Sequence, residues 1–283
     1  MIIDMRLRPP LHSWKSTAQF TEGSAYYPSR MGFPRPPSVV KQSIDLLLEE
    51  MKEADFFGVI PGRQSAPPLG IIPNDEITAI VQKYPDRFVA MTGVDLRDIE
   101  GAIKEIERNY KIKGYRGVSI EPGASFSPMY ADDKNLYPIY ERCQELELPI
   151  SITISGMLCT MVGHDLCYGS PTPVAKVAKK FPKLKIIISH GAWPNVMPMM
   201  EVAFMCENVY VSPDLYINGI YTPGSQEYVK AARFFLGDRL LFGTAYPSRP
   251  LKESVEAFRQ WELPRELEEK ILYKNAARLL NID

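Results

Sequence analysis

The sequence predicts an α/β fold, a single (β/α)8 TIM barrel filling residues 1–283 as one domain, and three observations carry that prediction. Apolar runs rich in Ile, Val and Phe alternate with segments of helical period, and eight strand-then-helix units are counted along 283 residues. The helix-to-strand turns are short. Lys83-Tyr84-Pro85-Asp86-Arg87 and Lys180-Phe181-Pro182-Lys183-Leu184 each end a helix at an aromatic and turn at proline, and Gly237 stops another ahead of Leu240-Leu241. The strand-to-helix loops are longer, which places a working face at the strand C-termini. A doubly wound open sheet fits the same alternation, and the count of eight favours the barrel.

Strands are read at about 2–8, 57–61, 87–95, 116–121, 149–155, 184–190, 209–214 and 240–246. Helical patterns fall at about 38–54, 74–84, 97–110, 133–146, 172–181, 195–206 and 225–236, with two more near 251–260 and 264–281. Ser38 is placed to cap the first helix. Asn74, followed by Asp75 and Glu76, reads as a cap with acids in the first turn. Residues 9–37 break the rhythm with Pro9, Pro10, Pro28, Pro34, Pro36 and Pro37 and with Trp14, Phe20, Tyr26, Tyr27 and Phe33. A long loop with this many aromatics reads as a lid or a subunit contact, so a homo-oligomer is expected.

Lys plus Arg number 33 and Asp plus Glu 34, a net charge of −1. That balance argues against a nucleic-acid partner, which calls for a basic excess. No apolar run approaches the ~20 residues that span a bilayer, and the first residues carry no signal-peptide core. Four cysteines, none in a Cys-x-x-Cys pair, are too few for a disulfide framework. A cytoplasmic protein with no membrane contact is expected.

Side chains alternate along a strand, so one parity faces the interior. Asp4, Arg6 and Arg8 then share a face, with Met5 and Leu7 on the other. Ser119 pairs with Glu121, Ser151 with Thr153 and Ser155, Ile188 with His190, and Ser212 with Asp214. Polar groups collect at one end of the barrel, where barrel enzymes keep their sites. Arg63 ends the second strand, and Arg249 follows Tyr246-Pro247 at the last; both read as surface charges unless their loops fold inward.

Four blocks and an ending resemble a known family. Ile3-Asp4-Met5-Arg6-Leu7-Arg8, Leu148-Pro149-Ile150-Ser151-Ile152-Thr153, Ile188-Ser189-His190-Gly191-Ala192-Trp193-Pro194 and Leu241-Phe242-Gly243-Thr244-Ala245-Tyr246-Pro247 are similar to the ordered blocks of the amidohydrolase-related family of metal-dependent hydrolases and decarboxylases. Lys270-Ile271-Leu272-Tyr273-Lys274-Asn275-Ala276-Ala277-Arg278-Leu279-Leu280 resembles its C-terminal helix. The resemblance implies a distorted (β/α)8 barrel. It also implies a divalent metal held by a His-x-His pair, two further histidines and an aspartate. Those positions fall here on Arg6 and Arg8, Thr153, His190 and Ala245. Arginine has no lone pair to give a metal, so a metal-free site and no cofactor are expected.

The candidate catalytic residues are His190, Asp214 and Glu121. The candidate substrate-binding residues are Arg6, Arg8, Arg63, Thr153, Trp193, Tyr246 and Arg249. Arg6 and Arg8 fit a clamp for a carboxylate, and equally an ion-pair network with Glu121 and Asp214. His190 suits acid–base work, and equally a hydrogen-bonded core position. Cys159, His164 and Cys167 form a Cys-x4-His-x2-Cys pattern with no fourth zinc ligand nearby, and Cys143 and Cys206 read as core residues. The reading is a metal-independent enzyme acting on a small anionic substrate by hydrolysis, decarboxylation or isomerisation. The alternatives are a catalytically inactive relative that binds an anionic metabolite or partner, and a metal enzyme with an unfamiliar ligand set.

Overall fold

The computed structural model describes residues 1–21 and 34–282. Seven parallel strands form one sheet. In their order across it they are β1 (Ile2–Asp4), β2 (Phe56–Pro61), β5 (Phe88–Gly93), β6 (Tyr115–Ile120), β7 (Ile150–Thr153), β8 (Ile186–Ser189) and β9 (Val209–Ser212). A small antiparallel hairpin, β3 (Arg63–Gln64) with β4 (Ile71–Ile72), follows β2. It is not legible in the sequence, nor are the short helices His12–Lys15 and Gly156–Met161.

The two faces of the sheet bury different cores. Ile60, Ala90, Val118, Ile152, Ile188 and Val211 pack with the surrounding helices. Ile3, Met5, Phe57, Val59, Val89, Met91, Ile187, Tyr210 and Leu241 pack with one another and with Ala276, Ala277, Leu279 and Leu280 of the C-terminal helix. β1 and β9 are the two edges of the sheet, yet Ile3 and Tyr210 share this second core, so the sheet is curled. Each large aliphatic side chain withdrawn from water contributes about 1.5–3 kcal/mol, and both cores reward the curl.

The expected eighth strand is not a regular strand. Segment 240–246 forms an isolated parallel bridge between Leu240 and Val211. On its other side Met5 N–H donates to Phe242 O (3.0 Å) and Arg8 N–H to Tyr246 O (3.2 Å). Side chains capture the backbone groups that a ladder needs: Asn218 Nδ2 donates to Gly243 O (2.8 Å) and Thr244 N–H to Asp4 Oδ1 (3.0 Å). The first strand is likewise shorter than expected. Arg6 N–H turns back onto Asp4 Oδ1 (2.9 Å), an Asx-type bond that ends β1 and breaks its parity. Met5 and Leu7 therefore lie in different cores, not on one face.

The expected helix 38–54 is two helices, Pro37–Val40 and Ile44–Glu53. The second is capped by Ser43, whose Oγ accepts from Leu46 N–H (3.4 Å). Ser38 is not a cap; it is buried, hydrogen-bonded to Glu50 and to the Tyr246 hydroxyl (2.8 Å). Asn74 sits inside the first turn of Asn74–Lys83, behind Pro73. Its side chain holds Gly93 instead, donating to Gly93 O (2.8 Å) and accepting from Gly93 N–H (3.0 Å). The last expected helix is Arg265–Glu269, a π turn over Lys270–Lys274, and Asn275–Leu280.

Of the long connection after β1, Trp14 and Phe20 are buried. Ser13 N–H and hydroxyl both donate to Glu76 (3.0 and 2.5 Å), and Ala18 N–H donates to Pro68 O (3.0 Å). Tyr26, Tyr27, Pro28 and Phe33 lie outside the described residues. Among the described residues no helix is long and apolar enough to cross a membrane.

Asn74→Ala strips both bonds from Gly93 at the C-terminal end of β5. Leaving buried backbone groups unpaired costs about 1–3 kcal/mol, to be read as a lower midpoint in urea unfolding at unchanged slope.

Candidate active site

The polar ends of the strands meet in a buried cluster. Arg6 and Arg8 follow β1, Arg63 opens β3, Glu121 follows β6, Thr153 ends β7, His190 follows β8 and Asp214 follows β9. Arg63 and Arg249 are not surface charges; with Arg6 and Arg8 they are at most 2% exposed.

Glu121 ties the cluster together. Its Oε1 accepts from Arg6 Nη2 (2.6 Å), Arg63 Nη2 (3.0 Å) and Thr153 Oγ1 (3.4 Å), and its Oε2 from Ser65 Oγ (2.6 Å). Burial alone would raise its pKa, but Arg63 and Arg6 outweigh burial and hold the carboxyl well below the usual range. Asp214 Oδ1 accepts from Ser212 Oγ (2.6 Å), and its Oδ2 accepts from His190 N–H (2.9 Å) and lies 3.9 Å from Arg6 Nε. Its pKa is raised by burial against the opposing pull of Arg6 and these bonds. Asp4 is pushed up to about 6, again by burial, although Thr244 donates to it from Oγ1 (2.5 Å) and N–H (3.0 Å).

His190 reaches the cluster by a route that alternation does not describe. Ile188 packs in the helix-facing core, whereas Ser189 bonds Ser151 across the strands (2.8 Å). The backbone then turns left-handed at three residues running, His190 (φ 63°), Gly191 (54°) and Ala192 (59°). A Cβ at Gly191 would stand 2.8 Å from the Tyr228 hydroxyl and 3.0 Å from Pro213 Cα, so only glycine fits. Tyr228 also donates to Gly191 O (2.9 Å). Asp214 (54°) and Ala245 (55°) share the same strained conformation. Each such non-glycine residue costs of order 1–3 kcal/mol, and this strain gathers where side chains must be aimed.

The imidazole is buried, and burial together with Arg6 and Arg8 lowers its pKa far below the ordinary value. Among the described residues neither ring nitrogen has a hydrogen bond, and Nδ1 lies 3.4 Å from Asp214 Oδ2. Arg8 Nη1 donates to Ala245 O (3.0 Å) and Tyr246 O (3.2 Å), and among the described residues no carboxylate pairs with it. Burial, then Arg6 and Arg63, lowers the Arg8 pKa as well. Nε and Nη1 of Arg6, Nε and Nη1 of Arg63 and Nε of Arg8 are buried with no hydrogen-bond partner among the described residues. Unpaired buried donors around a neutral imidazole can receive an anion and leave a base beside it.

The remaining candidates fall around this centre. Trp193 stacks on Tyr216 (4.6 Å, 10°), whose ring is 6.0 Å from His190. Tyr246 meets Arg8 through its carbonyl alone; its side chain lies in the helix-facing core with its hydroxyl on Ser38. Arg249 Nη1 donates to Asn218 O (2.7 Å). Asp4, Ser65 and Thr244 do not stand out in the sequence as site residues, since each acts through a bond to a residue far along the chain. Trp14 stands out there only as one aromatic of a long loop.

The resemblance to metal-dependent relatives calls for a test of fit. Guanidiniums occupy the first two ligand positions and have no lone pair to offer. Thr153 and Ala245 replace two more, and among the described residues no three of His, Cys, Asp and Glu converge to hold an ion. The donor set does not fit a divalent metal. Cys159, His164 and Cys167 do not assemble one either. Cys159 Sγ donates to Ser155 O (3.1 Å), His164 Nδ1 is 3.1 Å from Gly123 O, and exposed Cys167 accepts from Tyr130 (3.2 Å).

Comparison with known proteins decides the family. The amidohydrolase family model matches residues 17–282. The chain belongs to the amidohydrolase family. It is 26% identical over 262 residues to the 2-amino-3-carboxymuconate-6-semialdehyde decarboxylase of Dictyostelium discoideum, covering 81% of this chain and 70% of that protein. It is 23% identical over 246 residues to a γ-resorcylate decarboxylase from Polaromonas, covering 74% and 75%. An uncharacterized TIM-barrel protein from Bordetella bronchiseptica superposes with a TM-score of 0.91 at 36% identity, over 99% of this chain and 98% of that one. Within this amidohydrolase-family chain, Arg6, Arg8 and His190 occupy the blocks that carried the resemblance.

Two outcomes test the electrostatics. Glu121→Gln leaves Arg6 and Arg63 buried without their counter-charge, a loss of about 3–5 kcal/mol in denaturant unfolding at pH 7. Glu121 has a depressed folded pKa, so its stabilisation is present above the unfolded value near ~4.3 and is lost as pH falls below it; the variant's stability should vary less over that acid range. The chain has three histidines, and the NMR signals of His190, assigned by His190→Asn, should stay those of a neutral ring from about pH 8 to pH 6.

Proposed function

We propose that this chain is a metal-independent enzyme that acts on a small carboxylate substrate and hydrolyses an ester- or lactone-type C–O bond in it. The observation that carries the reading is the set of buried, unpartnered guanidinium N–H groups beside an imidazole held neutral with both ring nitrogens open. Arg8 and Arg63 hold the substrate carboxylate. A water attacks the acyl carbon and passes its proton to a ring nitrogen of His190, and the oxyanion that forms is met by the open N–H groups of Arg6. When the C–O bond breaks, His190 returns the proton to the leaving oxygen, and Asp214 beside Nδ1 stabilises the imidazolium in between. Glu121, supported by Ser65 and Thr153, orients Arg6 and Arg63. Trp193 with Tyr216 walls the His190 side, the Tyr246 carbonyl braces Arg8, and Arg249 braces the Asn218 turn.

Decarboxylation is the second reading, favoured by the two relatives named as decarboxylases. A guanidinium clamp on the departing carboxylate stabilises the charged reactant over neutral CO2. That route therefore needs a second substrate oxyanion for the arginines to serve. The hydrogen bonds that join segment 240–246 to β9 and to the chain just after β1 support a closed eight-stave barrel, and the packing of the last helix against the inner core supports one domain.

The test is a panel of unsaturated and aromatic carboxylic lactones, esters and acids, followed by absorbance and CO2 release with chelator-treated protein. Hydrolysis of carboxylate-bearing substrates, and not of their neutral amides, is expected without added metal. Loss of turnover on chelation with recovery in Mn²⁺ or Zn²⁺ overturns metal independence, and binding without turnover makes the chain a non-catalytic relative. His190→Asn should lower kcat by about 10²–10⁴. Arg8→Lys keeps the charge but loses the planar fork, so KM should rise by about tenfold.

A further inference from the structure

We propose that Trp14 is a positioning residue of this site: its indole ring presets Arg8, and Arg63 beside it, as donors for the substrate carboxylate. The inference rests on the carboxylate reading above and adds what holds the clamp in place. Trp14 is fully buried on the short helix His12–Lys15, in the connection that leaves β1. The guanidinium carbon of Arg8 lies 5.8 Å from its ring centroid and that of Arg63 5.1 Å, so one indole serves both cations.

The two arginines differ in what else restrains them. Arg63 is tied to Glu121 at 3.0 Å. Arg8 has no carboxylate among the described residues, only two main-chain carbonyls on Nη1, and its like-charged neighbours repel it. A carboxylate partner would steady Arg8 but would occupy its N–H donors and cancel its charge. A π face steadies a guanidinium and takes no donor, which leaves Nε open for a ligand. The backbone that carries the ring is held from outside the cluster, while the indole Nε1 has no hydrogen bond among the described residues. Thr17 N–H and Oγ1 donate to Trp14 O (3.0 and 2.7 Å), and Ser13 and Ala18 fasten the flanking chain to Glu76 and Pro68. Trp14 thus joins this stretch of chain to two guanidiniums, and its indole Nε1 bonds no carboxylate among the described residues.

The test uses the full chain after chelator treatment, with benzoate as the probe and benzamide as its uncharged counterpart, by calorimetric titration at low salt. Trp14→Leu should weaken benzoate by about tenfold and leave benzamide within about twofold, because charge recognition is lost and shape is kept. Trp14→Phe keeps a smaller π face and should fall between. Benzoate affinity in Trp14→Leu within about twofold of wild type overturns the proposal, as does a parallel loss for benzamide, which marks a merely structural role. If Trp14→Leu does not fold, Trp14→Phe decides, and unchanged benzoate affinity there overturns it. Arg8→Lys separates the two layers. Equal benzoate binding by Arg8→Lys and wild type overturns the carboxylate reading itself. Weakened binding by Arg8→Lys with unchanged binding by Trp14→Leu removes only the role of Trp14.

Discussion

A guanidinium buried in a sheet core costs several kcal/mol unless opposite charge goes with it, and in this chain Glu121 supplies that charge to two arginines at once. Its bonds to Arg6, Arg63, Ser65 and Thr153 join the segments after β1, β2 and β6 to the end of β7. The parallel register brings these groups to one level: Ser119 lies opposite Ser151, and Thr153 opposite Ser189, which lies opposite Ser212. The ion pairs hold because the sheet curls, and the curl is held by the two apolar cores beneath them.

Charge at this centre does not cancel. Arg6, Arg8 and Arg63 face Glu121 and Asp214, and burial works against ionisation of Asp214 and Asp4. The excess is positive, and burial, reinforced by Arg6 and Arg8, keeps His190 from adding another cation. The same crowding of buried guanidiniums leaves several of their N–H groups without a hydrogen bond among the described residues. In the proposed metal-independent reading, the field that an ion would otherwise supply comes from fixed guanidiniums, held by Glu121 and by main-chain carbonyls.

Backbone strain sets the aim. His190, Ala192, Asp214 and Ala245 take left-handed conformations that cost a side-chain-bearing residue, after β8, after β9 and in segment 240–246, and Gly191 adopts the same region freely. Tyr228 and Pro213 crowd Gly191 closely enough to keep the turn from relaxing. Packing of this density lets an isolated His and a buried Asp stand side by side without a hydrogen bond between their side chains.

The sequence by itself determined the alternating strands and helices, the curled parallel α/β sheet and the family, because periodicity and short ordered blocks are local properties. It also brought forward Arg6, Arg8, Glu121, His190 and Asp214, since polar residues at strand ends stand out against apolar runs. Only the tertiary structure decided that β1 stops at Asp4, that Ser38 and Asn74 bond across the fold instead of capping, and that segment 240–246 lacks a regular ladder. β1 ends at the local bond from Arg6 N–H to Asp4, but each of the other outcomes depends on a bond between residues far apart in the chain: Ser38 with Glu50 and Tyr246, Asn74 with Gly93, and, for segment 240–246, Asn218 with Gly243 and Asp4 with Thr244. The burial of Arg63 and Arg249 and the placing of Trp14 beneath two guanidiniums belong to the same class. Side-chain partners across a closed core are set by the packing of every element at once, and no spacing within one segment records them.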